Sequence, residues 1–126
     1  MKKYLLMAFL ATLVFQYGCK EKVVSYADSG TKVQLKTGQA LKVELSGNPS
    51  TGNDWRKITY DDQVIMEDGK RDYKLDDDKI GSGGMYQYHF KALAPGKTKL
   101  FMEYGPKYDD QKEALKIFEI EVLVVG

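Results

Sequence analysis

Ten consecutive residues near the C-terminus, KIFEIEVLVV from Lys116 to Val125, place Phe118, Ile120, Val122 and Val124 on one side of an extended chain and Glu119 and Glu121 on the other. Successive side chains of extended backbone point to opposite faces, so a period of two with one apolar face is the mark of a strand half-buried on a core. The pattern recurs along the chain. Val33 and Leu35 alternate with Lys32 and Gln34, and Leu41, Val43 and Leu45 with Lys42 and Glu44. Tyr86, Tyr88, Phe90 and Ala92 alternate with Gln87, His89 and Lys91, while Leu100, Met102 and Tyr104 share a face. Trp55 begins a further strand, and Gln63 to Glu67 forms a short one. No stretch of useful length has a 3.6-residue period. Short alternating runs parted by turn residues predict an all-β domain over 31–126, an antiparallel β-sandwich of about seven strands.

The N-terminus stands apart from this pattern. Lys2 and Lys3 precede an apolar run, Tyr4 to Phe15, which has the form of a secretory signal and is too short to span a bilayer as a helix. It ends at Gly18-Cys19, with Gln16 three residues before the cysteine. A small residue before such a cysteine resembles the end of a bacterial lipoprotein signal, although that pattern carries Leu where Gln16 stands. The resemblance implies a signal peptide over 1–18, a lipid on Cys19, an anchor and tether over 19–30, and attachment to the cell envelope. Plain secretion with a free thiol is the alternative; either way the protein is exported. Cys19 is the single cysteine, so no internal disulfide is expected and the core alone holds the fold.

Composition and spacing argue against several function classes. Without Lys2 and Lys3 the chain carries 17 basic and 18 acidic side chains, and no basic patch interleaved with aromatics suggests nucleic acid. The only histidine, His89, sits mid-strand on a polar face, and the only cysteine lies at the anchor, so nucleophilic and acid–base catalysis lack partners. No Gly-rich loop leads into a helix to cradle phosphate. Asp76, Asp77 and Asp78 belong to a mixed charged stretch, Asp68 to Lys79, that lacks the alternating ligands of a calcium loop and reads as solvated loop. No enzyme activity, metal or cofactor is expected.

Three loops are unusual. GNPSTGNDW (Gly47 to Trp55) is longer and stiffer than a tight hairpin requires, because Pro49 fixes φ and Gly52 permits positive φ. GSGGMY follows Ile80, and MEYGPKYDD follows the strand ending near Tyr104. Loops that emerge at one end of a sandwich form a binding edge on a rigid scaffold.

These loops, in this order, resemble those of the chagasin-type protein inhibitors of papain-like cysteine peptidases. Asn48, Pro49, Ser50, Thr51, Gly52 and Trp55 fit the family's Asn-Pro-x-Thr-Gly-aromatic-x-Trp, with Asn53 in the aromatic's place. Gly81, Ser82, Gly83 and Gly84 fit its Gly-x-Gly-Gly. Gly105, Pro106 and Lys107, followed by Tyr108, stand where it reads Arg-Pro-Trp, and only the proline coincides. The resemblance covers most of 33–125. It implies an immunoglobulin-like sandwich, a monomer, that binds a papain-like protease through these fourteen loop residues, Asn48–Asn53, Gly81–Gly84 and Gly105–Tyr108. It implies a core role for Trp55, and a weaker or differently directed grip from the altered third loop. Thr51 has no evident folding duty. The rival reading is a structural or adhesive envelope lipoprotein that keeps the sandwich with a degenerate edge.

Overall fold

Every alternating run becomes a strand. The computed structural model describes residues 20–126; the expectations for the signal segment and for Cys19 fall outside the described residues. The strands are β1 (Lys22–Ser25), β2 (Lys32–Lys36), β3 (Ala40–Gly47), β4 (Asn53–Thr59), β5 (Ile65–Glu67), β6 (Asp72–Leu75), β7 (Gly84–Ala92), β8 (Gly96–Pro106) and β9 (Lys116–Val125). One sheet runs β1-β3-β7, with β5 and β6 both paired to β7; the other runs β2-β9-β8-β4. Their inner faces form one core, in which Leu41, Val43, Leu45, Phe90, Leu100, Met102, Phe118, Ile120 and Val122 are almost wholly buried. Apolar area removed from water is the main force joining the sheets.

The sandwich stands, with four details of the expectation corrected. There are nine strands among the described residues. Of the tether expected over 19–30, the described part, 20–30, is largely structured: β1 pairs in parallel with β3, Val24 enters the core, and Tyr26–Asp28 makes a 3-10 turn. Val23 and Val24 are too short a run to display alternation. The charged loop Asp68 to Lys79 contains β6, which pairs antiparallel with β7 from Asp72↔Gln87 to Leu75↔Gly84. Its side chains are mostly exposed, so backbone pairing rather than an apolar face makes it a strand. The sheets are also mixed: β2 lies parallel to β9, as β1 does to β3, while the remaining pairs are antiparallel.

Candidate functional site

Register alone collects the three unusual loops at one end. Gly47, the last residue of β3, lies opposite Gly84, the first of β7, and Asn53, the first of β4, lies opposite Pro106, the last of β8. Because β3 and β4 belong to different sheets, the first loop is no hairpin. It arches across the top of the sandwich, with the second loop beside it on one sheet and the third on the other. Hydrogen bonds join all three. Asn48 Nδ2 donates to the Gly81 carbonyl at 2.7 Å, and the Lys107 amide donates to the Gly52 carbonyl at 2.8 Å.

The central loop is built to keep one shape. Asn48 caps the 3-10 turn Pro49–Thr51, accepting at Oδ1 from the Ser50 amide at 3.1 Å and the Ser50 hydroxyl at 2.6 Å. Pro49 enters the turn with φ already fixed. Gly52 closes it at φ 83°, a left-handed conformation that L side chains resist. Thr51 is exposed, yet it does have a folding duty: its hydroxyl donates to the Asn48 carbonyl at 2.7 Å and accepts from Asn53 Nδ2 at 3.2 Å.

Beneath the loop lies an aromatic floor whose polar tips hold three consecutive residues. Trp55 Nε1 donates to the Ser46 carbonyl at 3.1 Å, the Tyr73 hydroxyl donates to the Gly47 carbonyl at 3.3 Å, and the Asn48 amide donates to the Tyr104 hydroxyl at 2.9 Å. The rings touch one another, with centroids 5.2 Å apart for Trp55 and Tyr104 and 4.6 Å for Tyr73 and Tyr86. Large rings with a polar end suit this duty, because one part packs while the other hydrogen-bonds. Burial pushes the phenols of Tyr86 and Tyr88 well above the usual tyrosine range, and the Asp54 carboxylate adds to it.

Not every sequence-predicted site residue lies on the binding edge. Asn48 to Asn53, Gly81, Ser82, Gly83, Lys107 and Tyr108 belong to the joined loops or their rims. Gly84 does not: it is a buried strand residue, and a Cβ there would sit 2.6 Å from the Tyr73 ring. Gly105 is likewise buried in β8, and a Cβ there would come within 2.9 Å of Arg56 Cζ. Two glycines expected among the protease-binding loop residues are thus sites of close packing. Gly105→Ala displaces the Arg56 guanidinium and is expected to cost about 1–3 kcal/mol of stability. Urea unfolding checks this, and an unchanged midpoint would show that Arg56 yields freely. An arginine at 105, as in the family's pattern, meets the same obstacle.

Sequence reasoning also missed one residue, Ile80, and did not foresee how exposed Tyr108 would be. Ile80 is fully exposed next to the second loop, and Tyr108 is 91% exposed in the third. Two uncovered apolar side chains on loops hydrogen-bonded to the first are the kind of anchors that carry interface energy. Ile80 had a signal, an isolated apolar residue between a charged run and GSGG that no strand claims.

A model of the family described as Chagasin family peptidase inhibitor I42 matches residues 34–122. Chagasin of Trypanosoma cruzi is 23% identical to this chain over 99 residues, covering 71% of this chain and 89% of that protein. The crystal structure of the cysteine protease inhibitor EhICP2 from Entamoeba histolytica matches with a TM-score of 0.76 at 19% identity, covering 84% of this chain and 96% of that one. PbICP-C, solved in complex with falcipain-2, matches with a TM-score of 0.54 at 16% identity, over 83% and 89% of the two chains. At such identities the structures share the fold. The family match runs from β2 to β9 and takes in all three loops, so the chain belongs to the chagasin family of peptidase inhibitors.

Proposed function

We propose that this protein is a reversible, non-covalent inhibitor of papain-like cysteine proteases, and not itself an enzyme, with the three joined loops filling the protease cleft. The observation that carries the reading is the capped, hydrogen-bonded loop Asn48–Asn53 standing between two other loops at one end of the sandwich. A loop already held in its bound shape loses little entropy on binding. It also resists the extended conformation that a protease needs for cleavage. Thr51 presents a small tip to a narrow groove, and Ile80 and Tyr108 flank it. Titrating papain with the protein tests the reading. Stoichiometric loss of activity, recovered on dilution with the inhibitor uncut, is the expected result; full activity at micromolar protein would refute it.

The departure at Gly105 and Lys107 favours the rival reading of a non-inhibitory envelope protein. Exposed Tyr108 weighs against it, because it supplies the third loop with an aromatic anchor of its own.

The same proposal includes a lipid on Cys19, which rests on the Gly18-Cys19 motif. Only Lys20 and Glu21 then separate the lipid from β1. Lys22 pairs with Leu41 near the start of β3, and the Lys20 carbonyl accepts from Gln39 Nε2 at 2.7 Å, at the end of the sandwich opposite the loops. An anchor there turns the loops away from the membrane. Mass spectrometry of the mature N-terminus is expected to find a lipid-modified Cys19, and Cys19→Ser is expected to release the protein from the membrane fraction. An unmodified N-terminus would sink the anchor.

A further inference from the structure

The β4 strand breaks its own alternation. Arg56 lies opposite Glu103, but Thr59 lies opposite Phe101, so β4 spends one residue more than β8 between these pairs. Lys57 takes up the extra residue at φ 53°, a left-handed conformation uncommon for a lysine. In a regular strand Lys57 would follow Trp55 into the core and Ile58 would face outward. The bulge reverses this: Trp55 is buried, Ile58 packs against the core, and Arg56 and Lys57 share the outer face.

Both cations then act on the third loop. Arg56 Nε and Lys57 Nζ reach Glu103 Oε1 at 3.0 and 3.3 Å, in a pocket where the Arg56 and Glu103 side chains are only 11% and 13% exposed. Beyond this shared carboxylate, Arg56 donates to the carbonyls of Pro106 at 2.6 Å, Asp109 at 2.8 Å and Lys112, and Lys57 donates to the carbonyl of Asp110 at 2.9 Å. Within the loop the Lys112 amide donates to the Asp109 carbonyl at 3.3 Å and the Gln111 amide to the Asp109 carboxylate at 3.2 Å, while its two ends are tied by the Lys107 amide to the Gly52 carbonyl at 2.8 Å and the Leu115 amide to the Tyr104 carbonyl at 2.7 Å. Across its middle, the four carbonyls of Pro106, Asp109, Asp110 and Lys112 are all held by the two β4 cations. A guanidinium, planar and always charged, suits several carbonyls at once, and charge-assisted hydrogen bonds are stronger than neutral ones.

We propose that Arg56 and Lys57, brought onto one face by the bulge in β4, are positioning residues that fix the third loop and so aim Tyr108 at the protease. The proposal rests on the inhibitory reading above for what Tyr108 meets. Its structural half, that these two cations rather than the loop's own bonds set the loop's shape, stands apart from it. Arg56 reaches the third loop from the neighbouring strand and crowds the space over Gly105, so an arginine is supplied from β4 at a position where β8 has none.

The test combines the dissociation rate from papain with amide hydrogen exchange over 107–115. Arg56→Met is expected to speed dissociation about tenfold, the size of one lost charge-assisted hydrogen bond, and to speed loop exchange. In a Tyr108→Ala background the added effect of Arg56→Met is expected to shrink to about twofold or less, because the loop's anchor is already gone. Lys57→Gly suits φ 53° and removes the bond to Asp110; it is expected to loosen the loop without lowering the melting temperature. It decides the matter should Arg56→Met fail to fold. Unchanged dissociation and exchange would overturn the proposal. So would an undiminished tenfold effect without Tyr108, which marks a general loss of fold. If the wild-type protein binds no papain-like protease, the functional reading fails, and exchange alone then supports or overturns the clamp.

Discussion

Thr51→Arg is expected to abolish protease inhibition, raising the dissociation constant by a hundredfold or more, while the protein still folds. Leaving a charge unpaired in a desolvated interface costs about 3–5 kcal/mol, and each 1.4 kcal/mol is about tenfold in affinity. The arginine is also far larger than the small side chains, Pro49, Ser50 and Thr51, that the tip exposes. The fold loses less. Thr51 is exposed, and the substitution removes its hydrogen bonds to the Asn48 carbonyl and from Asn53. Such bonds are worth about 1 kcal/mol each net, and less in water. Thr51→Ser keeps the hydroxyl that holds the turn and is expected to inhibit within a few-fold of wild type. The measurement is papain inhibition beside thermal melting for both variants. If Thr51→Arg inhibits as wild type does, Asn48–Asn53 is not the plug, and the envelope-protein reading becomes the better one.

Trp55→Ala is expected to do the larger damage to stability, about 3–5 kcal/mol. For a domain of this size that lowers the melting temperature by roughly 15–30 °C. The indole is 5% exposed, lies 5.2 Å from the Tyr104 ring and donates to the Ser46 carbonyl. Its removal opens a cavity between the sheets and leaves that carbonyl without its partner. The loop suffers as well, since Ser46 is the first of three consecutive residues held by the aromatic floor. Inhibition should therefore weaken even below the new melting temperature, through a less preorganised loop. Trp55→Phe keeps the bulk and removes the Nε1 donor, so it separates the two effects. It should restore most of the stability and less of the affinity. A Trp55→Ala variant melting within a few degrees of wild type would mean that the ring is not the core element its burial makes it.

Much of this molecule was legible in the sequence because its signals are local. Period-two alternation fixed β2, β3, β7, β8 and β9 almost to the residue, since a strand half-buried on one core has to separate its apolar and polar side chains face by face. The first loop was legible for the same kind of reason: Asn48, Pro49 and Gly52 each act on backbone within three residues of themselves, as cap, fixed φ and left-handed closure. The short edge strands were not legible. β1 and β6 are made strands by pairing to the backbone of β3 and β7, and not by an alternating face of their own.

The roles of individual residues on the edge were a tertiary matter. Nothing near Gly84 or Gly105 in the sequence says that Tyr73 or Arg56 will press against it, because those contacts exist only once β6 lies on β7 and β4 on β8. Nothing in WRKIT reveals the bulge, and a strict alternation assigns Lys57 to the core. The third loop shows the division most clearly. Compared residue by residue with the family's pattern it keeps only its proline, yet in three dimensions it is tied down by two cations from another strand. The sequence determined which residues could form strands and stiff turns, through interactions within a few residues. Only the packing of two sheets decided which loops meet and what holds them, because hydrogen bonds and steric exclusion act between neighbours in space.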